Sequence, residues 1–205
     1  MLQDVPIKDG SQTLRTMWDS GSNAALMTHE SARRNGIKGK PVTFSVESMT
    51  TEKVFEGMIY DVELVDKLGE TKHITAYGVD KISKALGDQD ASALREKFPN
   101  LPEHVFNPLQ PKEVELLVGT NYVGYHPGGR DDRRFGHVRV QESLFGSGWV
   151  VSGAHKDIKA SKVELTSAVL ELRVNKLQVT PHLSTQYNFW LSEEGQKREE
   201  FRLQV

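Results

Sequence analysis

Length, composition and charge exclude several classes of protein. The chain has 205 residues, no cysteine, and 26 Lys and Arg against 28 Asp and Glu, which gives a formal net charge of −2. This length suits one domain, or one domain with an appendage, and 37% hydrophobic residues can form a core while leaving no apolar run long enough for a bilayer. The lack of cysteine excludes disulfide scaffolds, Cys-ligated zinc and thiol catalysis, and the near-neutral charge argues against a dedicated nucleic-acid binder.

The N-terminal part of the chain is predicted to form a hairpin and a short helix. Residues 5–18 read as two short strands around a polar turn at 8–11. Thr28 is a suitable N-cap for a helix over residues 29–35, and Gly36 is suited to end it because glycine adopts left-handed backbone angles at little cost. An Asp-Ser-Gly tripeptide therefore falls between a strand and a strand–helix unit.

The next segment is predicted to be antiparallel β-structure. Apolar and polar residues alternate on both sides of a polar stretch, which indicates a long hairpin over residues 42–64. The predicted tip of this hairpin consists of Ser48, Met49, Thr50 and Thr51. A further strand is expected over residues 73–77, so this half-buried sheet is the clearest element in the sequence.

Residues 80–112 contain four prolines, which prevent long regular structure. We expect an insertion wrapped on the sheet, with one short helix around residues 94–98. An apolar strand follows over residues 114–118, then a polar, basic loop that extends to residue 134. Two more strands are expected over residues 135–140 and 148–151.

The tripeptide Asp19-Ser20-Gly21 follows an apolar strand, which is the pattern that aspartic protease chemistry needs. The acid must lie in a tight turn, where Gly21 can approach closely and donate its N–H to the carboxylate, and the Ser20 hydroxyl can hydrogen-bond across to a partner. Two such aspartates must meet, because carboxylates about 3 Å apart share one proton and so provide both a base and an acid. The chain has one Asp-Ser-Gly, so a C2 homodimer would supply the second. By itself the tripeptide is also a common turn sequence.

Several further stretches accompany this motif in a specific order. They are Trp-Asp-Ser-Gly-Ser at 18–22, Ile-Thr-Ala-Tyr-Gly-Val-Asp-Lys-Ile at 74–82, Val-Glu-Leu-Leu-Val-Gly-Thr-Asn-Tyr at 114–122 with Tyr-His-Pro at 125–127, Phe-Gly-Ser-Gly-Trp-Val-Val-Ser-Gly at 145–153, and Asn-Phe-Trp-Leu-Ser-Glu-Glu at 188–194. In these stretches the chain resembles the retropepsin-like aspartic proteases of BEL/Pao-type retrotransposons. These proteases are segments of the Gag-Pol polyprotein that lie before the reverse transcriptase.

The resemblance implies a mainly β protein with the closed β-barrel fold of acid proteases and one or two short helices, active as a C2 homodimer. It implies an aspartic endopeptidase that processes a Gag-Pol-like polyprotein without a metal or organic cofactor. Asp19 would be the catalytic carboxylate, Ser20 the inter-subunit lock and Gly21 the amide donor. The protease domain would span residues 1–155, and residues 156–205 would be a C-terminal extension or linker towards the reverse transcriptase.

The same resemblance implies a substrate site. The hairpin tip Ser48, Met49, Thr50 and Thr51 would close over an extended peptide, together with Ser22, Val118 and Gly119, and Gly119 would also support the site from behind. Hydrophobic residues are expected beside the cleaved bond. The sequence departs from the family pattern in two places: no glycine lies between Pro41 and Glu56, and Trp18 replaces an aliphatic residue before the aspartate.

Two other functions remain open. The first is a retropepsin-like fold that serves as a dimerisation or peptide-binding module without useful proteolysis. The second is RNA binding through Arg130, Arg133 and Arg134, although Asp131 and Asp132 reduce the charge of that loop from +3 to +1.

Other chemistries are disfavoured. The seven histidines have no metal-ligand spacing, and residues 146–148 lack the Gly-x-Ser-x-Gly pattern of a serine hydrolase. No basic and apolar leader precedes the first strand, so we expect no membrane association and a cytoplasmic location, including virus-like particles.

Overall fold

A computed structural model describes residues 1–8, 10–47, 52–87, 91–129 and 133–153. These residues are mainly β-structure. Their strands are β1 (Leu2–Ile7), β2 (Gln12–Trp18), β3 (Leu26–Thr28), β4 (Gly39–Glu47), β5 (Glu52–Val65), β6 (Thr71–Val79), β7 (Leu116–Val118), β8 (Arg133–Phe135), β9 (Val138–Glu142) and β10 (Trp149–Ser152). Helix α1 spans His29–Arg34, and three 3₁₀ helices span Ser92–Lys97, Glu103–Phe106 and Thr120–Tyr125, the last of which is kinked at the non-helical Tyr122. The predicted C-terminal extension, residues 156–205, lies outside the described residues.

Seven strands form one sheet in the order β1-β2-β7-β3-β6-β5-β4. The late strand β7 lies between β2 and β3, parallel to β2 and antiparallel to β3. Strand β3 in turn runs parallel to β6. The residue pair Ile7–Leu64 also joins β1 to β5. As a result, the chain that connects β2 to β3 must pass around the end of β7.

The N-terminal hairpin forms as the sequence predicts. Every second residue of β1 is buried, and β1 pairs with β2 from Leu2–Met17 to Ile7–Gln12. The turn between them uses Gly10 at a φ of 87°, in the left-handed region that favours glycine, and its N–H donates to the Ile7 carbonyl at 3.0 Å. The inward side chains join the main core, which burial of apolar surface stabilises.

The predicted helix is also confirmed, with its end one residue earlier. The Thr28 hydroxyl accepts the Ser31 N–H at 3.2 Å, which satisfies one of the free donors of the first turn. Asn35 caps the other end, and Gly36 follows at a φ of 65°. This short helix buries Ser31 and places its hydroxyl 3.3 Å from Glu115 Oε1.

The long hairpin is confirmed as β4 and β5, which pair from Gly39–Tyr60 to Glu47–Glu52. Strand β5 continues beyond this hairpin and pairs with β6, as the alternation of residues 54–77 predicts. The predicted tip, Ser48, Met49, Thr50 and Thr51, lies outside the described residues.

The turn between β5 and β6 is organised by Asp66. Its Oδ1 accepts the N–H groups of Leu68 and Glu70 at 2.9 and 2.8 Å, and Lys72 lies 3.4 Å from Oδ2. Burial alone would raise the pKa of Asp66, but these donors outweigh it and hold the pKa below its ordinary value. The carboxylate therefore stabilises the turn in its charged form.

A second core lies away from the main sheet. Strands β8, β9 and β10 form a small antiparallel sheet. Leu94 and Phe106 of the first two 3₁₀ helices, with Phe98 just after the first, belong to the same buried cluster as Val138 and Val140. The expectation that residues 80–112 wrap on the main sheet is therefore only partly right, because their helices pack on the small sheet.

Two sequence predictions near the C-terminal side are wrong. The single strand expected over residues 135–140 is split into β8 and β9, because a turn with Gly136 at a φ of 61° reverses the chain. The loop expected after residue 121 begins instead with the 3₁₀ helix Thr120–Tyr125. The Tyr122 hydroxyl accepts the Thr75 N–H of β6 at 2.8 Å, which holds this helix against the main sheet. Among the helices of the described ranges, none is long and apolar enough to cross a membrane.

Candidate active site

Residues 19–22, here called the Asp19 loop, leave the end of β2 beside the end of β7. The Asp19 N–H donates to the Val118 carbonyl at 3.0 Å, so the loop starts from a fixed point on the sheet. The Gly21 N–H donates to Asp19 Oδ1 at 2.9 Å, which confirms the amide donor that the sequence predicts. Asp19 is half-buried, whereas Ser20 and Gly21 are exposed. A carboxylate is thus held by backbone at the surface of the chain.

The far end of the loop is tied to the residues that follow β7. The Ser22 carbonyl accepts two hydrogen bonds from Thr120, one from its N–H at 2.7 Å and one from its hydroxyl at 3.0 Å. The Ser22 hydroxyl donates to the Ala24 carbonyl at 2.9 Å. Both ends of the loop are therefore attached to the same short segment, residues 118–120.

Gly119 is the point where the chain passes closest to this loop. A Cβ placed on Gly119 would lie 2.5 Å from the Ala24 oxygen, 2.7 Å from the Ala24 nitrogen and 2.7 Å from the Ser22 oxygen. All three atoms are backbone, so no side-chain rotation can relieve the clash. Glycine is required here for close approach of two backbone segments.

An aromatic cluster lies behind the loop and explains the unexpected Trp18. This side chain is 2% exposed, its ring stacks on Phe145 at a centroid distance of 5.5 Å, and it contacts the His126 ring at 5.6 Å. Tyr125 meets the other side of Phe145 edge to face at 5.9 Å. The indole fills space between the main sheet and the segment that precedes β10, which a smaller aliphatic side chain would leave unfilled.

The buried side-chain amide of Gln3 provides the hydrogen-bond partner of the Trp18 indole. Gln3 Oε1 accepts the Trp18 indole N–H at 3.1 Å and the Ser143 hydroxyl at 2.9 Å, and Gln3 Nε2 donates to the Phe145 carbonyl at 2.6 Å. These bonds join Gln3 of β1 to residues 143–145. The Trp18 side chain is therefore held by contacts with both the first strand and the segment before β10.

His126 contacts the same region. Its Nε2 lies 3.0 Å from the Gly119 carbonyl oxygen. Because a carbonyl can only accept, this ring nitrogen carries the hydrogen and donates it. The sequence analysis assigned no site role to this histidine, and its distance in sequence from Asp19 carries no recognisable signal.

A buried carboxylate supports the opposite side of β7. Glu115 is 5% exposed, and it accepts the Arg15 backbone N–H at 2.7 Å, the Ser31 hydroxyl at 3.3 Å and a hydrogen bond from Arg34, while Lys112 lies 2.7 Å away. Burial, with help from the nearby Arg34 charge, lowers the pKa of Lys112. This network ties β2, α1 and β7 together around one residue.

The base of the β4–β5 hairpin lies near the strand that leaves the loop. The Tyr77 N–H donates to the Ala25 carbonyl at 2.9 Å, and the Tyr77 ring contacts Phe44 of β4 at a centroid distance of 5.0 Å. Gly57 leaves room for Phe44, since an added Cβ would lie 3.0 Å from its ring. Tyr77 thus links the β4–β5 hairpin, through Phe44, to Ala25, which follows the Asp19 loop.

The predicted site residues fall into three groups. Asp19, Ser20 and Gly21 share one accessible turn. Ser22 and Val118 are 3% and 0% exposed, and with the buried Gly119 they form the support behind that turn rather than an open face. The hairpin-tip residues lie outside the described part of the chain, so their role stays a prediction.

Within the described ranges, no group of three or more His, Asp or Glu side chains is arranged to hold a metal ion. Comparisons of the chain with models of protein families, with curated proteins and with solved structures find no match. The assignment of a function therefore depends on the geometry of the Asp19 loop.

Proposed function

We propose that this protein is a retropepsin-like aspartic endopeptidase that acts as a C2 homodimer. The observation that carries the proposal is the Asp19 loop itself. Its carboxylate accepts the Gly21 N–H at 2.9 Å. Its two ends are fixed on residues 118–120, at the end of a strand that lies between the strands the loop connects. A reacting carboxylate must be held in one orientation, and these contacts hold Asp19 at a fixed point of the sheet.

The proposed reaction requires two copies of the chain. Hydrolysis by aspartates needs two carboxylates that share a proton, and the chain contains a single Asp-Ser-Gly. A twofold axis beside the loop would bring two copies of Asp19 together, because an isologous interface pairs identical residues. Ser20 and Gly21 are exposed in the single chain, which leaves them accessible to a partner. The Ser20 hydroxyl would then hydrogen-bond across the axis.

The fold that we propose is the closed β-barrel of acid proteases. Pairing of β1 with β5 through Ile7 and Leu64 supports it, as does the insertion of β7 between β2 and β3. The β4–β5 hairpin would cover the substrate, with Ser48, Met49, Thr50 and Thr51 at its tip. An extended peptide would lie between this hairpin and the Asp19 pair.

The reaction uses only water and the two carboxyl groups. The ionised Asp19 takes a proton from water as the water oxygen attacks the peptide carbonyl carbon, and the protonated Asp19 of the second copy donates to the carbonyl oxygen. The first Asp19 then gives the proton that it took from water to the nitrogen as the C–N bond breaks, and the second Asp19 takes back a proton from a hydroxyl of the intermediate. These steps release an acid and an amine and restore the starting pair. No metal or organic cofactor takes part. The substrate class is a Gag-Pol-like polyprotein, with cleavage in the cytoplasm or in virus-like particles.

Cleavage of an unbiased peptide mixture tests the proposal. Wild type, Asp19→Asn and Asp61→Asn are incubated at about pH 5 and about pH 7, and products are identified by mass spectrometry. Asp61 is an exposed aspartate that pairs with Lys40, so its variant is a matched control. We expect wild type and Asp61→Asn to produce the same cuts and Asp19→Asn to produce none. Cuts that persist in Asp19→Asn, or no cuts by wild type as a verified dimer, would contradict the proposal and favour a peptide-binding module.

A further inference from the structure

We propose that His126 is a positioning residue that holds the Asp19 loop in its reactive geometry. This inference rests on the proposed function, since it assigns a role in that same site. His126 follows the 3₁₀ helix Thr120–Tyr125, and its own N–H donates to the Val123 carbonyl at 3.1 Å. The helix therefore sets where the imidazole lies.

The hydrogen bond to Gly119 is the contact that carries this role. His126 Nε2 lies 3.0 Å from the Gly119 oxygen, and Gly119 is the residue against which the backbone of Ser22 and Ala24 rests. Rotation of the Gly119–Thr120 peptide would turn the Thr120 N–H away from the Ser22 carbonyl. The Tyr122 N–H also donates to the Gly119 carbonyl, at 3.1 Å, so two donors hold this peptide. His126 supplies the side-chain donor of the two, and through the same peptide it helps to hold the Thr120 N–H that fixes the end of the loop.

A ring contact with Trp18 accompanies this hydrogen bond. The two ring centroids are 5.6 Å apart at an interplanar angle of 59°. Trp18 directly precedes Asp19, and the Trp18 side chain is almost fully buried. One imidazole therefore contacts the residue before the loop and the residue that supports the loop from behind.

The donor and the ring make separable predictions. His126→Gln keeps an N–H donor near the position of Nε2, whereas His126→Phe keeps an aromatic ring and removes the donor. A positioning role through the hydrogen bond predicts that His126→Phe lowers kcat by about tenfold with KM changed less than about twofold, the fold-change expected for loss of one hydrogen bond. His126→Gln should recover most of that loss. His73→Phe, at an exposed histidine of β6, is the control and should behave as wild type.

A second readout does not require catalysis. Amide hydrogen exchange of Asp19 and Thr120 reports the two hydrogen bonds that hold the loop. The exchange rates are compared with that of Val62 in the core, so that a change in global stability cancels. We expect faster exchange of both loop amides in His126→Phe and near wild-type exchange in His126→Gln.

The outcomes are distinguishable. If wild type cleaves nothing but the exchange pattern is as expected, the proposed function fails and the positioning role stands. If wild type cleaves and His126→Phe matches it in kcat and exchange, the inference is overturned and the function stands. Equal losses in His126→Phe and His126→Gln would also overturn it, because the donor would then not matter.

Discussion

Substitution of Gly119 by alanine tests the close approach that supports the Asp19 loop. Gly119 has a φ of −86° and a ψ of −175°, which any residue can adopt, so the cost of Gly119→Ala is entirely steric. The new Cβ would lie 2.5–2.7 Å from three backbone atoms. Overpacking typically costs 1–3 kcal/mol, and since backbone cannot change rotamer, we expect about 3 kcal/mol.

Urea unfolding measures this loss, with Gly124→Ala as the matched control. Gly124 lies in the neighbouring 3₁₀ helix, and a Cβ there would meet no described atom within 4 Å. Gly124→Ala should therefore leave the free energy of unfolding unchanged or raise it by about 0.5 kcal/mol. Gly119→Ala should also lower Tm by about 6–12 °C for a domain of this size. Equal stability of the two variants would refute the packing described around Gly119.

Three further substitutions have expected outcomes. Trp18→Leu should lower the free energy of unfolding by about 3 kcal/mol in urea titration, because it leaves a cavity beside Phe145. Glu115→Ala should cost about 2 kcal/mol in the same assay, because it leaves the buried Arg15 N–H without its acceptor and removes the partner of Arg34 and Lys112. Glu113→Ala, in an exposed ion pair, should change stability by less than about 1 kcal/mol. The lowered pKa of Asp66 stabilises the fold above the ordinary carboxyl pKa, and this contribution is lost as pH falls through the lowered value. Asp66→Asn should therefore show a shallower loss of stability below about pH 4 than wild type in acid titrations; an unchanged slope would contradict the assignment.

Local patterns account for much of the fold. The polar turn at residues 8–11 predicted the β1–β2 hairpin. Alternation of apolar residues predicted the β4–β5–β6 strands, because side chains of a strand alternate between core and solvent. Thr28 and Gly36 predicted the ends of α1 through capping chemistry. The Gly21 donor to Asp19 was also predictable, since it depends on residues two apart in sequence.

Long-range contacts account for the rest. The position of β7 between β2 and β3 joins residues about a hundred positions apart, which no local pattern encodes. The same holds for Gln3, whose partners Ser143 and Phe145 lie at the other end of the described chain. His126 was visible in the Tyr-His-Pro stretch, but its hydrogen bond to Gly119 depends on a 3₁₀ helix that the sequence did not indicate.

The central claim is that one active site contains two copies of Asp19, and subunit mixing tests it most directly. Wild type and Asp19→Asn are mixed in varied ratios at constant total concentration, allowed to exchange subunits, and assayed on a peptide that wild type cleaves. A shared site requires two intact subunits, so activity should follow the square of the wild-type fraction and fall to about one quarter in an equal mixture. A linear decline to about one half would show that each chain acts alone and would contradict the account.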